Sequence, residues 1–319
     1  MTLATLTSQL ATVVGIPIVP YGATGEIDHD RAAELIHRLV AQGLTAITPN
    51  GNTGEFYALS PAERRAILAT VSTAAREAAA DPGYTAATAP VVIAGVGLDL
   101  DSAIGDARFA RDTGADAIMI HQPVLPYLSP DGWVDYNVAI ARAVPELGVV
   151  PYLSTTAVTG VEIARLMELA PNVIAIKYSV PDPVVFATTR AQVEAAGQGH
   201  LLWIAGLAES YAPSYWQAGA RAFTSGLVNV VPAKSLALLD ALRAGDAAEA
   251  EALWRSIRAF EHLRTRNRSA DNVSVVKEAM DQLGLCDRSV RPPSAPLDAA
   301  TREAVRESIA DWAAVPVNA

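Results

Sequence analysis

The chain is poor in several things at once. It has one cysteine, Cys286, in 319 residues. That excludes an internal disulfide framework and any multi-thiolate metal site within the chain. Its five histidines (His29, His37, His121, His200 and His262) are scattered, and no two have metal-ligand spacing on one helix. No apolar run reaches the ~18 residues of a membrane span. The first residues, MTLATLTSQLATVVGIPIVP, lack the basic start of a secretory leader. The expected setting is therefore the cytoplasm. Lysine is the scarcest charge: only Lys177, Lys234 and Lys277 occur, against 24 basic residues in total. The net charge of −10 argues against a nucleic-acid-binding face.

What the chain has in quantity is apolar material, 51% of residues at a mean hydropathy of +0.23. That is incompatible with intrinsic disorder. Eight short, nearly continuous apolar runs read as strands covered on both faces: Val13–Val19, Thr45–Pro49, Pro90–Gly95, Asp116–His121, Gly148–Leu153, Val173–Lys177, Leu201–Ala205 and Ala222–Gly226. Ala-rich helical stretches separate them. Asp28 and Asp30 precede one helix, Ser60-Pro61 opens the next, and Asp101 precedes a third. Further starts fall near Pro130, Thr159, Asp182, Glu209 and Pro232. Eight right-handed βα units favour an α/β fold of the (β/α)8 TIM-barrel type over an open doubly wound sheet. Beyond residue 245 the strand signal stops. Ala247–Arg264, Asn272–Leu283 and Leu297–Ala313 read as three more helices. The expected organisation is thus a catalytic barrel over residues 1–245 and a C-terminal helical extension over 246–319.

In such a barrel the chemistry sits at the C-terminal ends of the strands. Lys177 ends the run NVIAIK. A buried amine loses its proton more easily and can attack a carbonyl, which an arginine cannot do. The alternative is a lysine that snorkels to solvent. Tyr152 ends the preceding strand, so barrel order makes it Lys177's neighbour. Its phenol can relay protons, or simply pack. The turn NGNTGEF, Asn50 to Phe56, can expose backbone N–H groups beside Asn52 and Thr53 as a carboxylate nest, or be an ordinary βα turn. Gly226 after Ser225 lets a ligand approach the backbone, and Asn229 lies just beyond. His121 and Gln122 end the fourth strand and can face substrate or serve structure. Arg264, Arg266 and Arg268 read as a solvated helix end; docking of a second substrate carboxylate is the less favoured reading.

Taken together, GNTGEFYALSPAERR, VVIAGVG and VIAIKYS resemble, in order and spacing, the dihydrodipicolinate synthase / N-acetylneuraminate lyase family of Schiff-base aldolases. The resemblance covers almost the whole chain. It implies an imine between Lys177 and a small 2-oxo acid, with Tyr152 as the proton shuttle. It also implies that Asn52, Thr53 and Gly54 hold the carboxylate, and that Ser225 and Gly226 wall the carbonyl. No metal or organic cofactor is implied, and a homo-oligomer, dimer or tetramer, is. The run YLSTTAVTG lacks the arginine of the lysine-pathway synthases and has one extra residue. Val124 and Leu125 stand where paired tyrosines are expected. The spacing is nearer to the 5-dehydro-4-deoxyglucarate dehydratases: Tyr152 to Val158, RNRSADNVSVVKEAM, and Arg291–Pro293 follow their pattern. Leu153-Ser154 and Tyr178-Ser179 depart from it. The expected function is a Schiff-base lyase, a decarboxylating dehydratase of a deoxy-oxo sugar acid. The alternatives are a pyruvate-dependent aldolase or 4-hydroxy-tetrahydrodipicolinate synthase, and a non-catalytic 2-oxo acid-binding barrel. A nucleotide-binding open sheet is disfavoured, because PYGATGE after the first strand lacks a Gly-x-Gly-x-x-Gly motif.

Overall fold

A computed structural model describes residues 1–86, 88–124 and 127–312. Leu125, and the expected helix end at Ala313, lie outside the described residues. The strands are β1 (Val13–Gly15), β2 (Ala46–Ile47), β3 (Val91–Val96), β4 (Ala117–Ile120), β5 (Gly148–Leu153), β6 (Ala175–Tyr178), β7 (Leu202–Ala205) and β8 (Ala222–Ser225). They follow one another in chain order as a closed barrel, and the pairings are parallel. All eight strands fall within the apolar runs or one residue beyond them. Their residues are buried almost without exception, which is why the runs are continuous rather than alternating. The (β/α)8 barrel with C-terminal helices is therefore the observed fold.

The helices are α1 (Leu3–Leu10), α2 (His29–Ala41), α3 (Pro61–Ala79), α4 (Leu100–Thr113), α5 (Pro130–Ala143), α6 (Gly160–Leu169), α7 (Pro183–Ala195), α8 (Ala208–Gln217), α9 (Pro232–Ala244), α10 (Ala247–Ser269), α11 (Asn272–Gln282) and α12 (Ala299–Ser308). Most begin as the caps dictate. Ser60 and Glu63 form a reciprocal capping box on α3, with Pro61 at its first position. The start of α4 differs from expectation: Asp99, not Asp101, accepts the N-terminal N–H, from Ser102 at 2.9 Å. Both aspartates can cap, and Asp101 instead sits in the first turn, where a negative charge favours the helix dipole.

The chain divides into two compact units, one of Met1–Val14 and Val91–Thr224, the other of Gly15–Pro90 and Ser225 onward. In the first, α1 was not anticipated. It buries Leu6 and Leu10, and Leu6 packs on Gly148 at the start of β5, where a Cβ would stand 2.7 Å from the leucine. Successive strand residues face opposite ways. On β6, Tyr178 turns toward Phe186 of α7 and Tyr215 of α8, with ring centroids 5.1 and 6.2 Å away. Lys177 therefore points to the face away from the helices. In the second unit, α10, α11 and α12 share one core with Ile18, Leu35 and Leu227 through Phe260, Val276, Met280 and Trp312. Each such buried side chain is worth about 1.5–3 kcal/mol. The C-terminal helices thus pack into that unit's core.

Candidate active site

The first unit holds the amine. The parallel register sets Tyr152 of β5 directly opposite Lys177 of β6. Lys177 is 2% exposed, and its Nζ lies 4.5 Å from the centre of the Tyr152 ring. The one hydrogen bond of Nζ among the described residues goes to the Met119 sulfur of β4, at 3.7 Å. Burial, uncompensated by any carboxylate, pushes the lysine down to about 8. His121 is buried with its ring edge-on to Tyr152, centroids 6.5 Å apart. Gln122 Oε1 accepts from Ser154 N at 3.4 Å. Gln122 thus links the residues after β4 and β5.

A hydroxyl that sequence reasoning missed stands near the stem of the Lys177 side chain. Ser179 Oγ is buried and takes no hydrogen bond among the described residues. It occupies the space that a side chain on Gly206 would need, and Lys177 Cγ would be 2.9 Å from a Cβ at that glycine. The only sequence signal was that Tyr178-Ser179 departs from the related enzymes. The hydroxyl's placement depends on Gly206, 27 residues on by the numbering of the chain.

The second unit holds the turn after β2. Asn50 and Glu55 both adopt positive φ, 59° and 54°, and so bracket the turn. Gly54 N donates to Gly51 O at 3.0 Å, and Glu55 N to Asn52 O at 3.1 Å. Gly54 is required by a close approach: a Cβ there would stand 2.9 Å from Pro17 O. Thr53 is buried, and Asn52 Oδ1 is buried with no hydrogen-bond partner among the described residues. After β8, the Ser225 hydroxyl accepts from Val228 N at 3.1 Å and meets Ser235 Oγ at 3.2 Å, so it is engaged within the fold. Asn229 donates to Ile16 O and Gly226 O and accepts from Ile18 N, stitching the end of β1 to the residues after β8.

Two further features of this unit were not foreseen. Lys277 of α11 is 0% exposed and donates to Glu55 Oε2 at 2.6 Å and to Ser289 O at 2.7 Å. Glu55 Oε1 accepts from Arg291 N at 3.0 Å. The Tyr21 ring lies between Lys277 and Arg291, 4.0 and 4.4 Å from its centre. This buried cluster fixes the Asn52–Glu55 turn to the C-terminal helices. The second feature corrects an expectation. Arg266 and Arg268 are exposed as a solvated helix end should be, but Arg264 is buried. It pairs with buried Glu261 and donates from Nε to Asn272 Oδ1 at 3.0 Å. Helical geometry breaks at Arg266–Arg268, which turns the chain back so that Asn272 reaches Arg264.

Among known proteins, residues 9–311 match the model of the dihydrodipicolinate synthetase family. The chain is 32% identical over 315 residues to a probable 5-dehydro-4-deoxyglucarate dehydratase of Methylobacterium radiotolerans, covering 95% of this chain and 97% of that one. It is 30% identical to a 4-hydroxy-tetrahydrodipicolinate synthase of Sorangium cellulosum, covering 92% of each. The crystal structure of a dihydrodipicolinate synthase from Oceanobacillus iheyensis superposes with a TM-score of 0.88 at 34% identity, over 98% of this chain and 99% of that one. The chain belongs to the dihydrodipicolinate synthetase family.

Proposed function

From that membership we propose that the protein is a lyase that forms a Schiff base with a 2-oxo acid, and that its reaction is the decarboxylating dehydration of a deoxy-oxo sugar acid such as 5-dehydro-4-deoxyglucarate. The observation that carries the reading is the buried Lys177 amine, with no carboxylate partner among the described residues and Tyr152 in register beside it. Several relatives at about this distance are named probable 5-dehydro-4-deoxyglucarate dehydratases, which supports the substrate class.

The chemistry follows from the groups. Neutral Lys177 attacks the 2-oxo carbon, and Tyr152 carries a proton to the departing hydroxyl as the carbinolamine loses water. The iminium withdraws electrons from the adjacent carbon, which releases a proton. The electron pair then expels a hydroxyl from the next carbon, with a proton, as water. On a diacid, loss of carbon dioxide returns an electron pair in the same way. Hydrolysis of the imine frees Lys177. The reading assigns the substrate's carboxylate to Asn52, Thr53 and Gly54, and its carbonyl wall to Ser225 and Gly226. No external cofactor enters the scheme. It also makes the protein a cytoplasmic homo-oligomer, dimer or tetramer, a state that light scattering measures.

Borohydride reduction in the presence of pyruvate tests the imine. The expected result is an irreversible mass increase on the peptide bearing Lys177; an adduct at Lys234 or none at all overturns it. A panel of 2-oxo acids and deoxy sugar acids, read for water loss, carbon dioxide and pyruvate release, tests the substrate. Pyruvate release or condensation without water loss from any sugar acid assigns the protein instead to the aldolase or 4-hydroxy-tetrahydrodipicolinate synthase reaction. Adduct formation without turnover of any acid makes it a binding barrel.

A further inference from the structure

Within its own unit Lys177 is surrounded by groups without charge. Nζ meets a thioether, Met119 Sδ at 3.7 Å, and the face of the Tyr152 ring, 4.5 Å from its centre. Burial alone lowers the lysine; among the described residues no carboxylate and no second cation shifts it. The Ser179 hydroxyl near the lysine stem is buried and neutral. An imine formed here is therefore a lone positive charge in apolar surroundings. A carboxylate that the ligand brings beside it has that charge as its counter-ion and little solvation of its own.

The carbon that bears the carboxylate decides its fate. Cleavage of the C1 carboxylate from the imine carbon would leave an electron pair that the C2=N bond cannot accept. A carboxylate attached to C3 can pass the pair of its breaking C–C bond into C2=N. The negative charge of the carboxylate and the positive charge of the iminium then cancel as carbon dioxide leaves. A transition state that loses charge is favoured over its ground state where nothing solvates charge.

We propose that this apolar setting makes Lys177 a decarboxylase of 2-oxo acids that bear a second carboxylate on C3, with no hydroxyl to eliminate and no dehydration of the substrate. The proposal goes beyond the dehydratase reaction and rests on the same Schiff-base reading. The amine attacks C2 and the carbinolamine loses water. The C3–carboxylate bond breaks, carbon dioxide departs, and the electron pair forms the C2=C3 double bond of a neutral enamine. C3 then takes a proton, which Tyr152, in register beside Lys177, relays. Water hydrolyses the imine and frees a 2-oxo acid shortened by one carbon. Each turn consumes one proton and releases one carbon dioxide; no oxidant or reductant takes part.

The test follows carbon dioxide and pyruvate release from oxaloacetate, with a chelator present to suppress decarboxylation by stray metal ions, alongside borohydride trapping with pyruvate. The wild type should exceed the buffer rate, and K177M should fall to it. M119Q places an amide where it can hydrogen-bond the carboxylate before it leaves. It should release carbon dioxide about 2- to 10-fold more slowly than M119L, the worth of one hydrogen bond made in the ground state alone. The two variants should trap pyruvate alike. Release at the buffer rate by the wild type, release that survives in K177M, or equal rates in M119Q and M119L overturns the proposal. Pyruvate trapped at Lys177 while oxaloacetate stays intact sinks the decarboxylation alone. No adduct with either acid sinks the Schiff-base reading and the decarboxylation with it.

Discussion

Lys177 and Lys277 are the same residue type at nearly the same depth, 2% and 0% exposed, each with its ammonium group over a tyrosine ring. Their partners differ. Lys277 donates to a carboxylate and a carbonyl, at 2.6 and 2.7 Å. Lys177 has a thioether at 3.7 Å. Burial lowers the pKa of both, but at Lys277 the Glu55 charge opposes it. The paired lysine is a tie, held by Glu55 and the Ser289 carbonyl. The unpaired one is lowered to about 8, so its free-amine fraction grows from about a tenth at pH 7 to about half at pH 8. Burial alone therefore does not distinguish a structural lysine from a nucleophile; the nearest acceptor does.

The comparison breaks first at the tie. Lys277→Met leaves Glu55 buried without its cation and should destabilise the protein by about 3–5 kcal/mol in urea unfolding. The double variant K277M/E55Q should recover more than half of that, since the amide oxygen that replaces the carboxylate can still accept from Arg291 N. A K277M protein as stable as the wild type would mean the pair does not hold the turn.

At Lys177 the same substitution should have the opposite sign. The folded lysine, near 8, lies below the ordinary 10.5, so the unfolded chain binds the proton more tightly. Below pH 8 both states are protonated and the native state bears the full cost of a buried charge. That cost is about 3 kcal/mol at ~1.36 kcal/mol per unit. It fades as pH rises from 8 to 10.5. Lys177→Met should thus abolish imine trapping yet stabilise the fold by up to about 3 kcal/mol at pH 7. The gain over wild type should shrink steadily toward pH 10. A gain that is absent at pH 7, or that grows with pH, would show that the amine is not desolvated.

Legibility followed the range of the interactions. Strands buried on both faces leave continuous apolar runs, so all eight were visible. Lys177 was visible too, as a rare lysine ending one such run. The α1 helix was not: eight residues with two threonines and a serine carry little helical signal, and Leu6 is held by tertiary packing on Gly148. Glu55 and Lys277 are 222 residues apart, and nothing local marks either as half of a pair. Arg264 was misread because alternating arginines look solvated. Which of the three is buried depends on Glu261 one turn back and on the chain reversal that brings in Asn272. The tight turn at Asn52–Gly54 was legible from its glycines, whereas the Ser179 hydroxyl depended on a glycine of another strand end.

The smallest effect is the most direct check on what separates the two lysines. Met119 is buried and supplies the sulfur near Lys177 Nζ. Replacing it with leucine removes a weak acceptor while keeping the volume, so desolvation still dominates. The pH midpoint of pyruvate trapping, rising through about 8 as the amine loses its proton, should then move by less than about half a unit. Met119→Glu instead gives Lys177 the carboxylate that Lys277 already has. Its midpoint should climb by about one unit or more, because a nearby anion favours the ammonium. The rate at pH 7 should fall accordingly, by about tenfold per unit. If the glutamate left the midpoint in place while the leucine moved it, the sulfur rather than the missing carboxylate would set the lysine's state, and the contrast with Lys277 would lose its physical basis.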